Sequence, residues 1–251
     1  LNLVDISEIE KIKSISSPHA EELKKFGEKW VDLSRELDNE DLETVSSSIR
    51  GKLEDLGLDE EWTLTKEFFP EVKVHVSYHY HGEEFSEYGE SDNLRFLFSG
   101  SRVRKLTGED LTGMIDVMLN FVGGLLSGKV RNGGERHKYL PERYYESRAD
   151  ALNFLELDDG EIESLVNFLG CQSGPERSEK VLKKQFFSDV FFSMTVSDDS
   201  LRGFCLEDKA GRLNDYERDL LSICTLNHIV RFVALKYSDR DLPEICRKVF
   251  P

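Results

Sequence analysis

The chain has 251 residues, 39% hydrophobic and 10% aromatic, enough for one large domain or two small ones and too much for a mostly disordered polymer. Its formal net charge of −16 argues against general DNA binding and against broad attraction to anionic membranes, since both draw on clustered cations. The longest apolar runs, around residues 114–126 and 229–235, fall short of the roughly 18 residues that span a bilayer, and the N-terminus lacks the pattern of a secretion signal.

The first sixty residues read as a helical hairpin. Ser17 is a cap and Pro18 fits the first helical position, while Leu23, Phe26, Trp30, Leu33 and Leu37 recur at spacings of 3 and 4 as one apolar stripe, suited to a core or a dimer contact. Asn39 is expected to cap a second helix carrying Val45, Ile49, Leu53 and Leu56 up to Gly57. From Trp62 the period changes to two: after Trp62, Leu64 and Phe68, and the break at Pro70, the residues Val72, Val74, Val76, Tyr78 and Tyr80 alternate with Lys73, His75, Ser77, His79 and His81. This predicts a half-buried strand with the histidines on its wet face. Leu94, Phe96 and Phe98 make another strand. Thr107 with Asp110 then starts a helix whose buried stripe is Met114, Val117, Met118, Phe121 and Leu125.

Two short helices are expected over residues 145–157 and 161–169, with a linker at 170–178 signalled by Gly174-Pro175 and a third helix from Ser178 to Phe187. The strand pattern returns in Val190, Phe192, Met194 and Val196 and again in LRGFCL from Leu201, and Asn214 caps a helix carrying Leu221, Cys224, His228, Phe232 and Leu235. Sliding residues 94–126 by 107 matches Leu94 with Leu201, Arg95 with Arg202, Leu106 with Leu213, and Leu119-Asn120 with Leu226-Asn227, and it brings the caps Thr107 and Asn214 together. The fold expected is α+β: the helical hairpin (residues 1–60), a β-β-α unit (61–130), a basic segment and helical connector (131–178), and a second β-β-α unit (179–251) that repeats the first.

Four groups of residues carry candidate chemistry. His79 and His81 lie on one strand face about 7 Å apart, and with Glu83 or Glu84 folded back they would supply a divalent-metal or acid/base site. Setting Ser77 against Ser193 places Thr195 and Ser197 opposite His79 and His81, so the repeat itself does not call for histidine. The loop that follows, with Glu83, Glu84, Glu87, Glu90 and Asp92, lacks calcium-loop spacing and reads as a solvated acidic hairpin. GGLLSGKV at residues 123–130 nearly matches a P-loop, but Val130 replaces the magnesium-binding hydroxyl and the run ends a helix instead of starting one.

The segment 129–148 sets six cations against three glutamates, a local +3 in a chain whose remainder carries −19. Its Lys129, Arg131, Arg136, Lys138, Arg143 and Arg148, interleaved with Tyr139, Tyr144 and Tyr145, suit a nucleotide, a phosphorylated small molecule or RNA. Asp158-Asp159 and Asp198-Asp199 read as caps or turns, His228 as a core histidine, and His19 as a first-turn residue with no partner evident from sequence. Cys171, Cys205, Cys224 and Cys246 form no CxxC pair and are expected to be reduced. The leading expectation is a soluble cytoplasmic, non-catalytic binding or regulatory protein using the basic Tyr/Arg segment. The alternatives are a metal-dependent hydrolase using the His-x-His strand, and a homo-oligomeric scaffold without a small ligand.

Overall fold

The computed structural model describes residues 2–10, 17–82, 91–128, 137–139, 142–176, 179–197 and 200–249. The fold is α+β, and the chain divides into two compact units, Leu1–Arg104 and Lys105–Pro251. Among the described residues no helix is long and apolar enough to cross a membrane.

The first unit runs α1 (Ile6–Glu10), α2 (Pro18–Glu36), α3 (Asn39–Ser48), β1 (Lys52–Glu54), β2 (Trp62–Phe69), β3 (Val72–His79) and β4 (Asn93–Ser99). Its strands form an antiparallel meander in the order β1-β2-β3-β4. Helix α2 starts as the sequence predicts, with Ser17 Oγ accepting from the Ala20 N–H and Pro18 at the first turn. Its face is rotated from expectation: Leu23, Gly27 and Ser34 are buried, and Phe26, Trp30 and Leu33 are only half-buried. The cause is close approach to β4, where a Cβ on Gly27 would stand 3.1 Å from the Leu94 carbonyl oxygen. The helix lies down on its small residues and the aromatics flank the contact.

The second helix is capped by Asp38, in a reciprocal capping box with Asp41, so Asn39 is its first residue and not its cap. It also ends earlier than its apolar spacing suggests. Arg50 adopts φ 55° and Gly51 is pressed against β2, where a Cβ would meet the Thr65 carbonyl at 2.5 Å. Leu53 therefore sits on strand β1 and is 41% exposed.

The second unit holds α4 (Gly108–Leu126), β5 (His137–Tyr139), α5 (Glu142–Glu146), α6 (Ala149–Leu152), α7 (Asp159–Leu169), β6 (Gln172–Glu176), β7 (Glu179–Gln185), β8 (Val190–Ser197), β9 (Ser200–Asp208), α8 (Asp215–Lys236) and α9 (Glu244–Val249). Its sheet is antiparallel in the order β5-β9-β8-β7-β6. The expected linker is the edge strand β6, in which Pro175 is tolerated because an edge leaves one side without a ladder. The expected third helix is the strand β7, paired with β6 and β8. Between them these pairings outweigh the helix propensity of a Lys-rich run. Asp158 caps α7, and Asn214 caps α8 in a capping box with Glu217.

Helix α4, which the sequence groups with the strands before it, falls in the second compact unit, where its Gly113 comes within 3.6 Å of Cys224 on α8, measured from an ideal Cβ. The element order is the same along both parts of the chain: a helix, a four-strand antiparallel meander, then a long capped helix. Register refines the proposed match, because Leu94 pairs with Tyr78 and Leu201 with Val196, two residues beyond the Met194 that the Ser77–Ser193 alignment set against Tyr78. The shift is even, so the faces agree.

Candidate functional site

The histidine strand is not half-wet. Val74, Val76 and Tyr78 face the helices, but the other face of β3 is buried too, with His75 and Ser77 fully buried and His79 nearly so. A polar ladder fills it: Thr63 and Ser77 hydroxyls meet at 2.7 Å, the His75 Nδ1 lies 2.7 Å from Thr65 Oγ1, and its Nε2 lies 2.8 Å from Ser99 Oγ. Burial lowers the His75 pKa to about 4, against the opposing pull of Glu54, whose carboxylate is 3.9 Å from Nδ1. The ring is therefore neutral at physiological pH, with both nitrogens engaged by hydroxyls.

His79 is the last residue of β3 and His81 lies beyond the strand. Burial lowers the His79 pKa, and Arg95 adds to it. The His81 N–H donates to Asp92 at 3.0 Å and its ring accepts from Asn93 Nδ2 at 3.1 Å. Glu83 and Glu84, with Glu87 and Glu90, lie outside the described residues. Among the described residues no three His, Cys, Asp or Glu side chains are grouped to hold a metal ion.

Asp92, expected in a solvated loop, is an internal hub instead. It accepts from Arg35 Nε at 2.7 Å, from the Tyr78 hydroxyl at 2.9 Å and from His81. Burial alone would raise its pKa, and these three bonds outweigh burial and lower it. His19 has a partner as well, in Glu10, which also accepts from Ser17.

In the second unit, Lys129, Arg131 and Arg136 lie outside the described residues, as do the side chains of Lys138, Tyr139 and Arg143. Lys138 and Tyr139 belong to β5, paired with Glu207 and Leu206, and Arg143 and Tyr144 belong to α5. Arg148 points inward. Its Nε donates to Asn227 Oδ1 at 2.8 Å, and another nitrogen reaches the Tyr144 carbonyl and the Ser147 hydroxyl. Asn227 in turn donates to Asp110 at 2.9 Å, and Asp110 forms a buried ion pair with Arg231. Asp110 gives its N–H to the Thr107 cap, but its carboxylate ties α4 to α8 and closes no capping box. Burial lowers the Arg148 pKa, and Asp110 opposes it. Within this network Arg148 braces α5 against α8. His228 is buried as expected, its ring 4.7 Å from that of Phe168.

Beside this brace lies a cleft of about 280 Å³ lined by Tyr145 and Asn153 on the helical side and by Ser200, Leu201, Arg202, Gly203 and Phe204 on β9. The Tyr145 ring rests on Phe204 with centroids 4.8 Å apart. Gly203 has φ 59° at a bulge, where β9 uses three steps from Arg202 to Cys205 against two from Ser193 to Thr195 on β8. The bulge resets the alternation, so Leu201 and Phe204 are both buried and Arg202 and Gly203 are both exposed. Arg202 Nε donates to the Ser200 hydroxyl at 3.1 Å. Of this group only Tyr145 belongs to the basic segment. The Arg-Gly inside LRGFCL is the sequence signal for the rest, since glycine within a strand marks a bulge or a close approach. A second cleft, at Ser173, Gly174, Pro175, Glu179 and Lys180, follows the β6–β7 hairpin, and its cation is paired with Asp159.

No protein-family model, curated protein or solved structure matches the chain.

Proposed function

We propose that the protein is a soluble cytoplasmic binding protein, not an enzyme, that takes an anionic ligand in the cleft between α5–α6 and β9. The observation that carries this reading is the lining of the cleft: an aromatic ring, an amide and a hydroxyl converge there with an exposed guanidinium. Apolar walls with a few polar groups that fix orientation are the usual make-up of a ligand pocket. Tyr145, on the helical wall, belongs to the +3 segment of an otherwise acidic chain, and Arg202 supplies a cation on the opposite wall. Four free cysteines agree with a reducing compartment. The ligand classes that fit are phosphorylated metabolites, nucleotides, short RNA and carboxylate-bearing peptides.

A thermal-shift screen of these four classes at low ionic strength is the test. The expected result is a salt-sensitive stabilisation that disappears in Arg202→Ala and persists in Lys180→Ala, which alters the other cleft. If no member of the four classes stabilises the protein at low salt, the proposal fails.

A further inference from the structure

β9 is nine residues long, and β8 pairs with it along its whole length on one side. On the other side β5 covers only Leu206, Glu207 and Asp208. β5 ends at Tyr139 and α5 begins at Glu142. Among the described residues, no strand pairs with Ser200–Phe204 on that outer side. An open edge leaves main-chain N–H and C=O groups without ladder partners, ready to pair with another extended chain. The cleft lies against this same stretch, with Tyr145 and Asn153 as its opposite wall.

An edge strand facing a helix across an apolar cleft is the arrangement that takes an added strand. The edge supplies main-chain hydrogen bonds, and the cleft receives alternate side chains. From the open β9 edge beside this cleft we infer that the ligand is a short extended peptide, added as a strand beside Ser200–Phe204, with an acidic side chain against Arg202. This rests on the cleft being the binding site. The uncovered stretch accommodates about five residues at the strand rise. Leu201, Phe204 and Tyr145 offer apolar contact to one face of such a peptide. Among the described residues Arg202 spends only Nε, on Ser200, which leaves the two terminal nitrogens as a fork for a carboxylate. The bulge at Gly203 twists the edge, which discourages long flat self-pairing and limits the added strand to a short one.

The probes are an eight-residue peptide of alternating valine and glutamate, the same peptide N-methylated at every second residue, and its valine–lysine counterpart, each titrated into the full chain by fluorescence anisotropy. Hydrogen–deuterium exchange is read on the complex. The valine–glutamate peptide should bind and slow exchange at the Ser200–Phe204 amides. N-methylation and Arg202→Ala should each weaken binding about tenfold or more, the size expected for losing a main-chain ladder or one charge-assisted bond. Binding that ignores N-methylation, or that gives no protection on β9, overturns strand addition. If nucleotides or phosphorylated metabolites bind through Arg202 while all three peptides stay silent, the cleft stands as an anion site and the peptide inference falls. If no anion of any kind binds, both fall.

Discussion

Replacing His75 by glutamine should remove a specific acid sensitivity from the first unit. In the folded chain burial lowers the His75 pKa from 6.5 to about 4, so the unfolded chain takes up a proton first as pH falls. Stability from this residue is full above pH 6.5 and declines as acid favours the unfolded, protonated form, until pH falls through about 4. At 1.36 kcal/mol per pH unit, the wild-type protein should lose about 2 kcal/mol from this source by pH 5 and at most about 3 kcal/mol by pH 4. Both tryptophans, Trp30 and Trp62, lie in the first unit, so urea unfolding followed by tryptophan fluorescence reports on the right part of the chain. The glutamine variant starts lower at pH 7.5, because it cannot serve the Thr65 and Ser99 hydroxyls as the ring does. Its stability should then fall less steeply from pH 7 to 4. Parallel curves for the two proteins would refute the interior, neutral histidine.

The buried pair in the second unit invites a double-mutant cycle. Arg231→Met strands Asp110 without its cation and should cost about 3–5 kcal/mol, whereas adding Asp110→Leu to it should recover much of that loss, as measured by urea denaturation. Gly100 has φ 110° and a Cβ there would fall 2.2 Å from the Glu71 carbonyl, so Gly100→Ala should cost more than 2 kcal/mol, while Gly57→Ala, with φ 70° and open space, should cost about 1 kcal/mol. Asn214→Ala removes the cap of α8 and should lower stability by about 0.5–2 kcal/mol in the same assay.

Local chemistry in the sequence determined much of the frame. Ser17-Pro18, Thr107 and Asn214 announce helix starts because a side-chain oxygen next to free N–H groups is a purely local device, and all three are seen. The period-two pattern of β3, β4 and β8 was legible for the same reason. What failed were the elements whose state depends on a distant partner. Residues 179–185 favour a helix locally and become β7 because β6 and β8 lie on either side. Leu53 fits a helical stripe and joins a strand because Gly51 must clear Thr65.

The sites follow the same division. The sequence determined that His75, His79 and Arg148 are polar and sit on particular faces, but only tertiary packing decided whether those faces meet water. The face of β3 that carries His75, Ser77 and His79 is covered, so His75 becomes a neutral interior ring, and Arg148 turns to Asn227 because α5 lies against α8. The cleft draws Tyr145 and Arg202 together from 57 positions apart in the chain. Periodicity records which way a side chain points relative to its own element, and what stands opposite it is set by contacts that no local pattern encodes.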